Sequence, residues 1–388
     1  MYYYYLPKHN NSILYLSLSN DQEYKTPFIS KTLYDYLKDY KMQIDNFETE
    51  WDNTKKYTNP YEFIHTPVPN SKSVSTVKPL SRSFFKMIEI IKFFNLDTNQ
   101  SKMKSFHLAE GPGGFIEALA FIRNNQEDQY YGMTLIDEDV NVPSWKKTKS
   151  FIQKTPNFII ENGPTNTGDL FKVENLIYCK QTYGNSIDFI TADGGFDFSE
   201  NFNNQETLVC KLLIAEVCFA LCMQKKNGCF VLKIFDIMTK ITIDLIYILT
   251  CFYEDVSICK PQTSRIANSE KYVICKGFRI NQNNEIFLKD IIKQFSNIMA
   301  TENFNSIISE KHSLSLINKI EEINAIFGQQ QIENISYTLN LITNRAKQER
   351  IETLKRNNIQ KSIQWCEKYN IPHEKLIVNE NIFLNKSF

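Results

Sequence analysis

The chain has 388 residues, enough for one large α/β domain with additions or for two smaller domains. Basic and acidic residues both number 44, so the net charge is zero and any affinity for nucleic acid must come from a local patch. Nine cysteines, scattered without Cys-x-x-Cys pairs and set in apolar runs at Cys218, Cys222, Cys251 and Cys275, argue against a disulfide framework or a zinc site. Residues 1–50 are Tyr-rich and show no clear periodicity. Residues 51–80 are polar, hold Pro60, Pro67, Pro69 and Pro79, and read as a surface segment. A helix is predicted over 82–94, with Phe84, Ile88 and Ile91 on one face and Asn95 as its stop. Strands are then expected at 105–110, 130–135, 157–161, 186–192, 229–235, 256–260 and 271–278. Helices fall between them, on Phe115, Ala118, Leu119 and Ile122, on Leu208 to Met223, and over 239–252. Strands separated by helices predict a mostly parallel sheet covered on both faces. The last two strands have only a loop between them, so one is expected to be antiparallel. The tail from 285 reads as mostly helical, and its basic run from Asn344 to Lys361 reads as a solvated helix face.

No signal peptide is expected, because the start lacks a basic-then-apolar pattern. The longest apolar run, 241–253, carries Asp244 and is too short to span a bilayer, so no membrane association is expected.

Glu110-Gly-Pro-Gly-Gly-Phe115 follows a predicted strand and opens a helix. Glycines there let the backbone approach a ligand, and a helix N-terminus offers free N–H groups; the plain alternative is a tight strand–helix connection. The spacing is not that of a dinucleotide loop, and an acid at this point repels a pyrophosphate. It suits a ligand with an ammonium group, such as the methionine part of S-adenosylmethionine. Asp169 is placed to accept from an adenine amino group or, equally, to cap a helix. Asp137 suits a ribose or a solvated loop.

Four further residues stand at places where an α/β sheet would deliver them to one crevice: Lys86, Asp193, Lys233 and Glu270. Each has a plain alternative. Lys86 can pair with Glu89 and Lys233 with Asp236, while Asp193 can cap a turn and Glu270 can be a solvated strand-end charge. Lys233 is the hardest to dismiss, because it interrupts a buried-strand pattern and a buried lysine is costly unless paired. Two amines and two carboxylates near a Gly-rich loop point to chemistry on a hydroxyl, a weak acid that needs a nearby base.

In order and context, Lys86, Asp193, Lys233 and Glu270 match a Lys-Asp-Lys-Glu tetrad. Through it the chain resembles the FtsJ-like 2′-O-ribose methyltransferases, and within them the cap-specific mRNA enzymes of eukaryotes and large DNA viruses. Asn59-Pro-Tyr-Glu62, Gly132-Met-Thr-Leu135, Ala192-Asp-Gly-Gly-Phe196, Lys233-Ile-Phe-Asp236, the string from Lys260 to Gly277 and the ending Gln364-Trp-Cys-Glu-Lys-Tyr-Asn-Ile-Pro372 are similar to family motifs. The resemblance covers residues 50–388 and leaves out the Tyr-rich start. It implies an α/β fold with a Rossmann-like methyltransferase sheet and a helical C-terminal extension. The domains would be a segment 1–50, a core 51–280 with its cap-proximal part at 51–80, and an extension 281–388. It implies S-adenosyl-L-methionine as donor, held by Glu110, Gly111, Pro112, Gly113, Gly114, Phe115 and Asp169. It implies the 5′ end of capped mRNA as acceptor, methylated on the 2′-hydroxyl of the first transcribed nucleotide. Lys233 would be the base, with Lys86, Asp193 and Glu270 positioning it and the hydroxyl. Lys55, Asn203, Asn204, Ser264 and Arg265 would meet the cap or the RNA. The family commonly has arginine where Lys55 stands, and the 196–204 loop aligns with a one-residue shift.

A local track of Lys55, Lys56, Lys72, Lys78, Arg82, Lys86, Lys102 and Lys104 is expected to meet phosphates, with Tyr57 and Tyr61 as stacking faces or, for Tyr61 above all, as ordinary packing. The alternatives are a 2′-O-methyltransferase for rRNA or tRNA and a non-catalytic RNA-binding subunit. Association with other capping or transcription proteins is a further expectation, as is an intracellular, cytoplasmic location such as a virus factory or virion rather than the nucleus.

Overall fold

The computed structural model describes residues 1–388 except 10–14, 25, 70, 98–100, 138, 140–141, 196–204, 345–346 and 375–388. Its contacts divide the chain into two units, each discontinuous in sequence: Met1–Asn46 with Leu80–Ser336, and Phe47–Pro79 with Tyr337–Phe388. The sequence reading instead cuts the chain into three consecutive segments.

The first unit is built on an eight-stranded sheet. Its strands are β1 (Tyr2–Tyr5), β3 (Lys104–Leu108), β4 (Gln129–Met133), β5 (Phe158–Ile160), β6 (Ile187–Ala192), β7 (Gln224–Ile234), β8 (Tyr253–Lys260) and β9 (Lys271–Phe278). They lie in the order β1-β8-β9-β7-β6-β3-β4-β5. Strands β3 to β7 pair in parallel, whereas β9 runs antiparallel to both β7 and β8. The single antiparallel strand expected from the short β8–β9 connection is therefore β9. A second one is β1, which runs antiparallel to β8 with Tyr3 opposite Cys259. Four tyrosines in a row carry no alternation, so nothing local marks them as a strand. They are recruited by the free edge of β8.

From β3 the chain builds outward to β4 and β5 on one side, and from β6 to β7 on the other. Right-handed crossovers in opposite directions put their helices on opposite faces and leave a crevice at the switch, beyond the C-terminal ends of β3 and β6. The crossing helices are α4 (Gly114–Arg123), which packs on α3 (Ser83–Phe94), and α7 (Gln205–Met223), which packs on α6 (Val173–Tyr183) and α8 (Lys240–Phe252). Helix α3 stops where expected, at Asn95, whose φ of 53° is the left-handed conformation that ends helices. The core is aliphatic and aromatic, with Phe106, Ile190, Phe219, Phe230, Leu249 and Val273 all essentially inaccessible. Each such side chain contributes about 1.5–3 kcal/mol when removed from water. The helical spacing of Leu208, Leu212, Ala215, Phe219 and Met223 predicts one buried face on α7, but Leu208 is exposed and Leu212 only half-buried. Ile214, Val217, Cys218 and Leu221 are buried along with Ala215 and Phe219, because the helix is covered by several neighbours.

A second, two-stranded sheet pairs β2 (Leu16–Ser19) with β10 (Ser306–Ile308). Also in this unit are α1 (Lys31–Ile44), α5 (Lys149–Lys154) and α9 (Gln282–Ala300), and α10 (Leu314–Thr343) begins in it. The second unit contains α2 (Glu48–Thr58) and α11 (Lys347–Lys368). Within it, Asn358 Nδ2 donates to the Tyr57 carbonyl at 2.7 Å, and Thr76 N donates to the Pro372 carbonyl at 3.0 Å. Among the described residues no helix is long and apolar enough to cross a membrane.

Candidate active site

Strand register brings the first pair together. Ala192 on β6 lies opposite Leu232 on β7, so the next residues, Asp193 and Lys233, meet just past the sheet edge. Lys233 Nζ donates to the Asp193 backbone carbonyl at 2.7 Å and lies 3.1 Å from Asp193 Oδ1. The second pair crosses from helix to strand. Lys86, inward-facing on α3, places Nζ 2.7 Å from both carboxylate oxygens of Glu270, which directly precedes β9. Glu270 also accepts from Ser264 Oγ at 3.0 Å and from the Tyr272 hydroxyl at 3.2 Å. The local alternatives for both lysines are not realised. Glu89 turns to the backbone N–H groups of Gln262 and Thr263, and Asp236 pairs with Lys41 and Lys271.

The pairs differ in access. Lys86 and Glu270 have side chains 8% and 11% exposed, whereas Lys233 and Asp193 reach 12% and 18%. Burial lowers the Lys86 amine, and Glu270 only partly opposes that. Burial alone would raise Glu270, but Lys86 and Lys233 outweigh it and hold the carboxyl far below its usual range. Burial would lower Lys233; Asp193 and Glu270 together win and keep it above its ordinary value. The accessible amine is therefore charged at rest, held between carboxylates, and must shed a proton before it can accept one.

Some helpers escaped sequence reasoning. Glu216, on α7, accepts from Gly194 N at 3.0 Å and is fully buried. Lys260, at the end of β8, donates to the carbonyls of Asn268 (2.7 Å) and Glu270 (2.8 Å), and burial pushes its amine down to about 7. Glu89 accepts from Gln262 N (2.8 Å) and Thr263 N (3.2 Å), pinning the loop that carries Ser264. The available signal was the one that exposed Lys233: a charge inside an apolar run, as in Leu212-Leu-Ile-Ala-Glu-Val-Cys-Phe219.

The Gly-rich loop lies at the end of β3, across the switch from Asp193. Glu110 is 2% exposed; its Oε1 accepts from Phe115 N at 2.6 Å and so caps α4, while its Oε2 is buried without a hydrogen-bond partner. Burial, then the nearby Asp193, pushes this carboxyl well above its usual range. An unmet buried acceptor beside a loop of three glycines fits a ligand that brings a cationic donor. Gly113 has φ 105°, which a side chain would strain. A Cβ on Gly111 would lie 2.8 Å from the Pro143 carbonyl oxygen, so the loop is closely overlaid by the 143–148 segment. Thr148 Oγ1 donates to the Pro112 carbonyl at 2.8 Å. Gly114 and Phe115 are buried in the first turn of α4. The residues fit S-adenosylmethionine in backbone approach, and a cation brought beside Glu110 would favour its ionised form.

Asp169 is half-buried and accepts from Phe171 N at 2.8 Å, a turn-capping bond that occupies Oδ1 alone. Asp137 accepts from Asp139 N in an exposed loop. Lys55 belongs to the second unit, where it is ion-paired with Asp52 one turn earlier on α2. Asn203 and Asn204 lie outside the described residues. Ser264 is 3% exposed with its hydroxyl turned to Glu270, so it supports the tetrad rather than facing solvent. Arg265 is half-buried in the same loop. The expected phosphate track is divided between units: Lys55, Lys56, Lys72 and Lys78 in one, and Arg82, Lys86, Lys102 and Lys104 in the other. Lys86 drops out of it, because it is buried on Glu270. Tyr57 packs edge-on against Phe63, with ring centroids 6.1 Å apart.

The model of the FtsJ-like methyltransferase family matches residues 79–278. A cap-specific mRNA (nucleoside-2′-O-)-methyltransferase 1 from Trypanosoma brucei brucei is 34% identical over 170 residues, 43% of this chain and 45% of its own. A cap-specific mRNA (nucleoside-2′-O-)-methyltransferase 2 from Pongo abelii is 27% identical over 342 residues, 84% of this chain and 43% of its own. A Caenorhabditis briggsae relative, 31% identical over 48% of this chain and 22% of its own, is named an inactive cap-specific mRNA (nucleoside-2′-O-)-methyltransferase 1B. The chain thus spans less than half the length of these curated relatives. Similarity at this level is shared with a protein named inactive, so the case for activity must stand on the site itself.

Proposed function

Since the chain belongs to the FtsJ-like methyltransferase family, we propose that it transfers a methyl group from S-adenosyl-L-methionine to the ribose 2′-hydroxyl of the first transcribed nucleotide of capped mRNA. The observation that carries this reading is the convergence of Lys233 with Asp193 and of Lys86 with Glu270 beside the Gly-rich loop. When bound, S-adenosylmethionine supplies a methyl group activated by its sulfonium charge. The chain's own residues do the rest. Glu110 and the glycines at 111, 113 and 114 would receive the cationic donor, with Pro112 and Phe115 shaping the loop and Asp169 accepting from the adenine amino group. Lys233 Nζ, once neutral, takes the hydroxyl proton as the oxygen attacks. Positive charge brought close to Lys233 disfavours its protonated form, which readies it for that task. Asp193 holds the amine in place, and Glu270 and Lys86 form the buried setting behind it. Orientation and proton transfer together are the main catalytic resources here.

Lys55, Asn203 and Asn204 are proposed to meet the cap guanine, and Arg265 the RNA, with Ser264 acting through Glu270. The names of the relatives favour capped mRNA over rRNA or tRNA as acceptor. The deciding experiment incubates the protein with S-adenosylmethionine and short RNAs that differ only in the cap, then locates the added methyl by mass spectrometry. A methyl on the first ribose of the capped RNA alone is expected. Equal transfer to uncapped RNA would remove the cap from the proposal, and no transfer to any RNA would favour a non-catalytic role.

A further inference from the structure

The peptide unit between Asp193 and Gly194 is gripped from both ends. Its carbonyl accepts from Lys233 Nζ at 2.7 Å, and its N–H donates to Glu216 Oε1 at 3.0 Å. Glu216 comes from the middle of α7 and is fully buried, and its Oε2 is also buried with no hydrogen-bond partner. The space is closed as well. A Cβ at Gly194 would collide with Glu216 Oε1, and one at Gly195 would lie 3.3 Å from Lys233 Nζ. A side chain at Gly194 would thus displace Glu216 and Leu212, whereas one at Gly195 would need Lys233 to give by only a few tenths of an ångström.

We propose that Glu216 is a positioning residue for methyl transfer, acting through the Asp193–Gly194 peptide to fix where Lys233 holds its amine. The peptide plane is the link. A carboxyl on the N–H sets the direction of the carbonyl and, through hydrogen-bond polarisation, strengthens its hold on Nζ. Burial pushes the Glu216 carboxyl up to about 8, which favours its neutral form, and a glutamine reproduces its acceptor oxygen. Leucine at 216 keeps the volume but leaves the N–H unmet, and the turn is then free to rotate. This rests on Lys233 being the base.

The test compares wild type with E216Q, E216L and, as a packing control on the same helix, L213A, all in the full chain. In methyl transfer to capped RNA, E216L should lower kcat roughly a hundredfold while KM for RNA and donor stays close to wild type. E216Q should restore kcat, and L213A should lose stability without losing kcat. The second readout needs no turnover. Each protein is labelled with an amine-reactive acetylating ester, and Lys233 and Lys86 are followed by peptide mass spectrometry. E216L should label severalfold faster at Lys233 than wild type, with Lys86, held by Glu270, unchanged. Equal labelling of Lys233 in wild type and E216L, or an E216Q protein as impaired as E216L, overturns the proposal. A wild type silent on capped RNA would refute only the substrate reading, because the labelling comparison still decides the role of Glu216.

Discussion

Replacing Glu270 by glutamine isolates the electrostatics of the deeper pair. The carboxylate holds Lys86 Nζ at 2.7 Å by both oxygens, with Lys86 itself only 6% exposed. Glutamine keeps the volume and the bonds from Ser264 and Tyr272, but it leaves a buried ammonium without its anion and with Arg82 nearby as a like charge. Removing one partner of a buried ion pair costs about 3–5 kcal/mol. The cost must depend on pH. Burial already lowers the Lys86 amine, and the loss of Glu270 lowers it further. The folded variant then binds fewer protons than the unfolded chain below the ordinary lysine pKa. Its stability therefore rises with pH, and the deficit against wild type shrinks as Lys86 becomes neutral. Urea denaturation of both proteins at pH 6 and pH 9 measures this. We expect a deficit of about 3–5 kcal/mol at the lower pH, clearly smaller at the higher one, and largely recovered in the double variant K86M/E270Q. A deficit below about 1 kcal/mol, or one identical at both pH values, would mean that Lys86 and Glu270 do not form the buried pair described.

Lys233→Met should abolish methyl transfer while donor and RNA still bind, as read by single-turnover assay beside equilibrium binding; residual transfer near the wild-type rate would remove Lys233 as base. Gly111→Ala pushes a methyl group against the Pro143 carbonyl, where only 2.8 Å is available. Overpacking of about 1–3 kcal/mol should lower the melting temperature by roughly several degrees, and displacement of the loop should weaken donor binding about tenfold, measurable by calorimetry. His107, buried on β3 between Ser105 and Thr191, has its imidazole pushed down to about 3 by burial. Its contribution to stability is thus fully present above about pH 6.5 and is lost as pH falls toward 3. The gap corresponds to roughly 5 kcal/mol, so the advantage of wild type over H107N in denaturant melts should shrink across that range.

The strands from β3 to β9 and helices α3, α4, α7 and α8 were legible because their patterns are local, whereas α6 at 173–183 was not expected. Apolar runs of strand length alternate with helical spacing, and Asn95 and Thr239 stand at helix ends, where Thr239 accepts from Thr242 N as a cap. The Gly-rich loop and its acid were equally plain, as was Lys233, a charge where a buried strand should have none. What local pattern could not supply was partnership. Glu89 and Asp236 are the nearer mates for Lys86 and Lys233 in sequence, yet the fold gives those lysines Glu270, 184 positions away, and Asp193, 40 positions away. The β1 strand exists only because β8 leaves an edge to pair with. Segment 51–79 falls in the unit that holds 337–388, which no composition shift announces. Glu216 became meaningful only once Gly194 was seen to leave room for it. The sequence by itself thus determined which side chains were costly to bury, since that follows from residue type and apolar context. Only the tertiary structure decided who compensates that cost, because pairing depends on strand order, register and the crevice where the crossovers diverge.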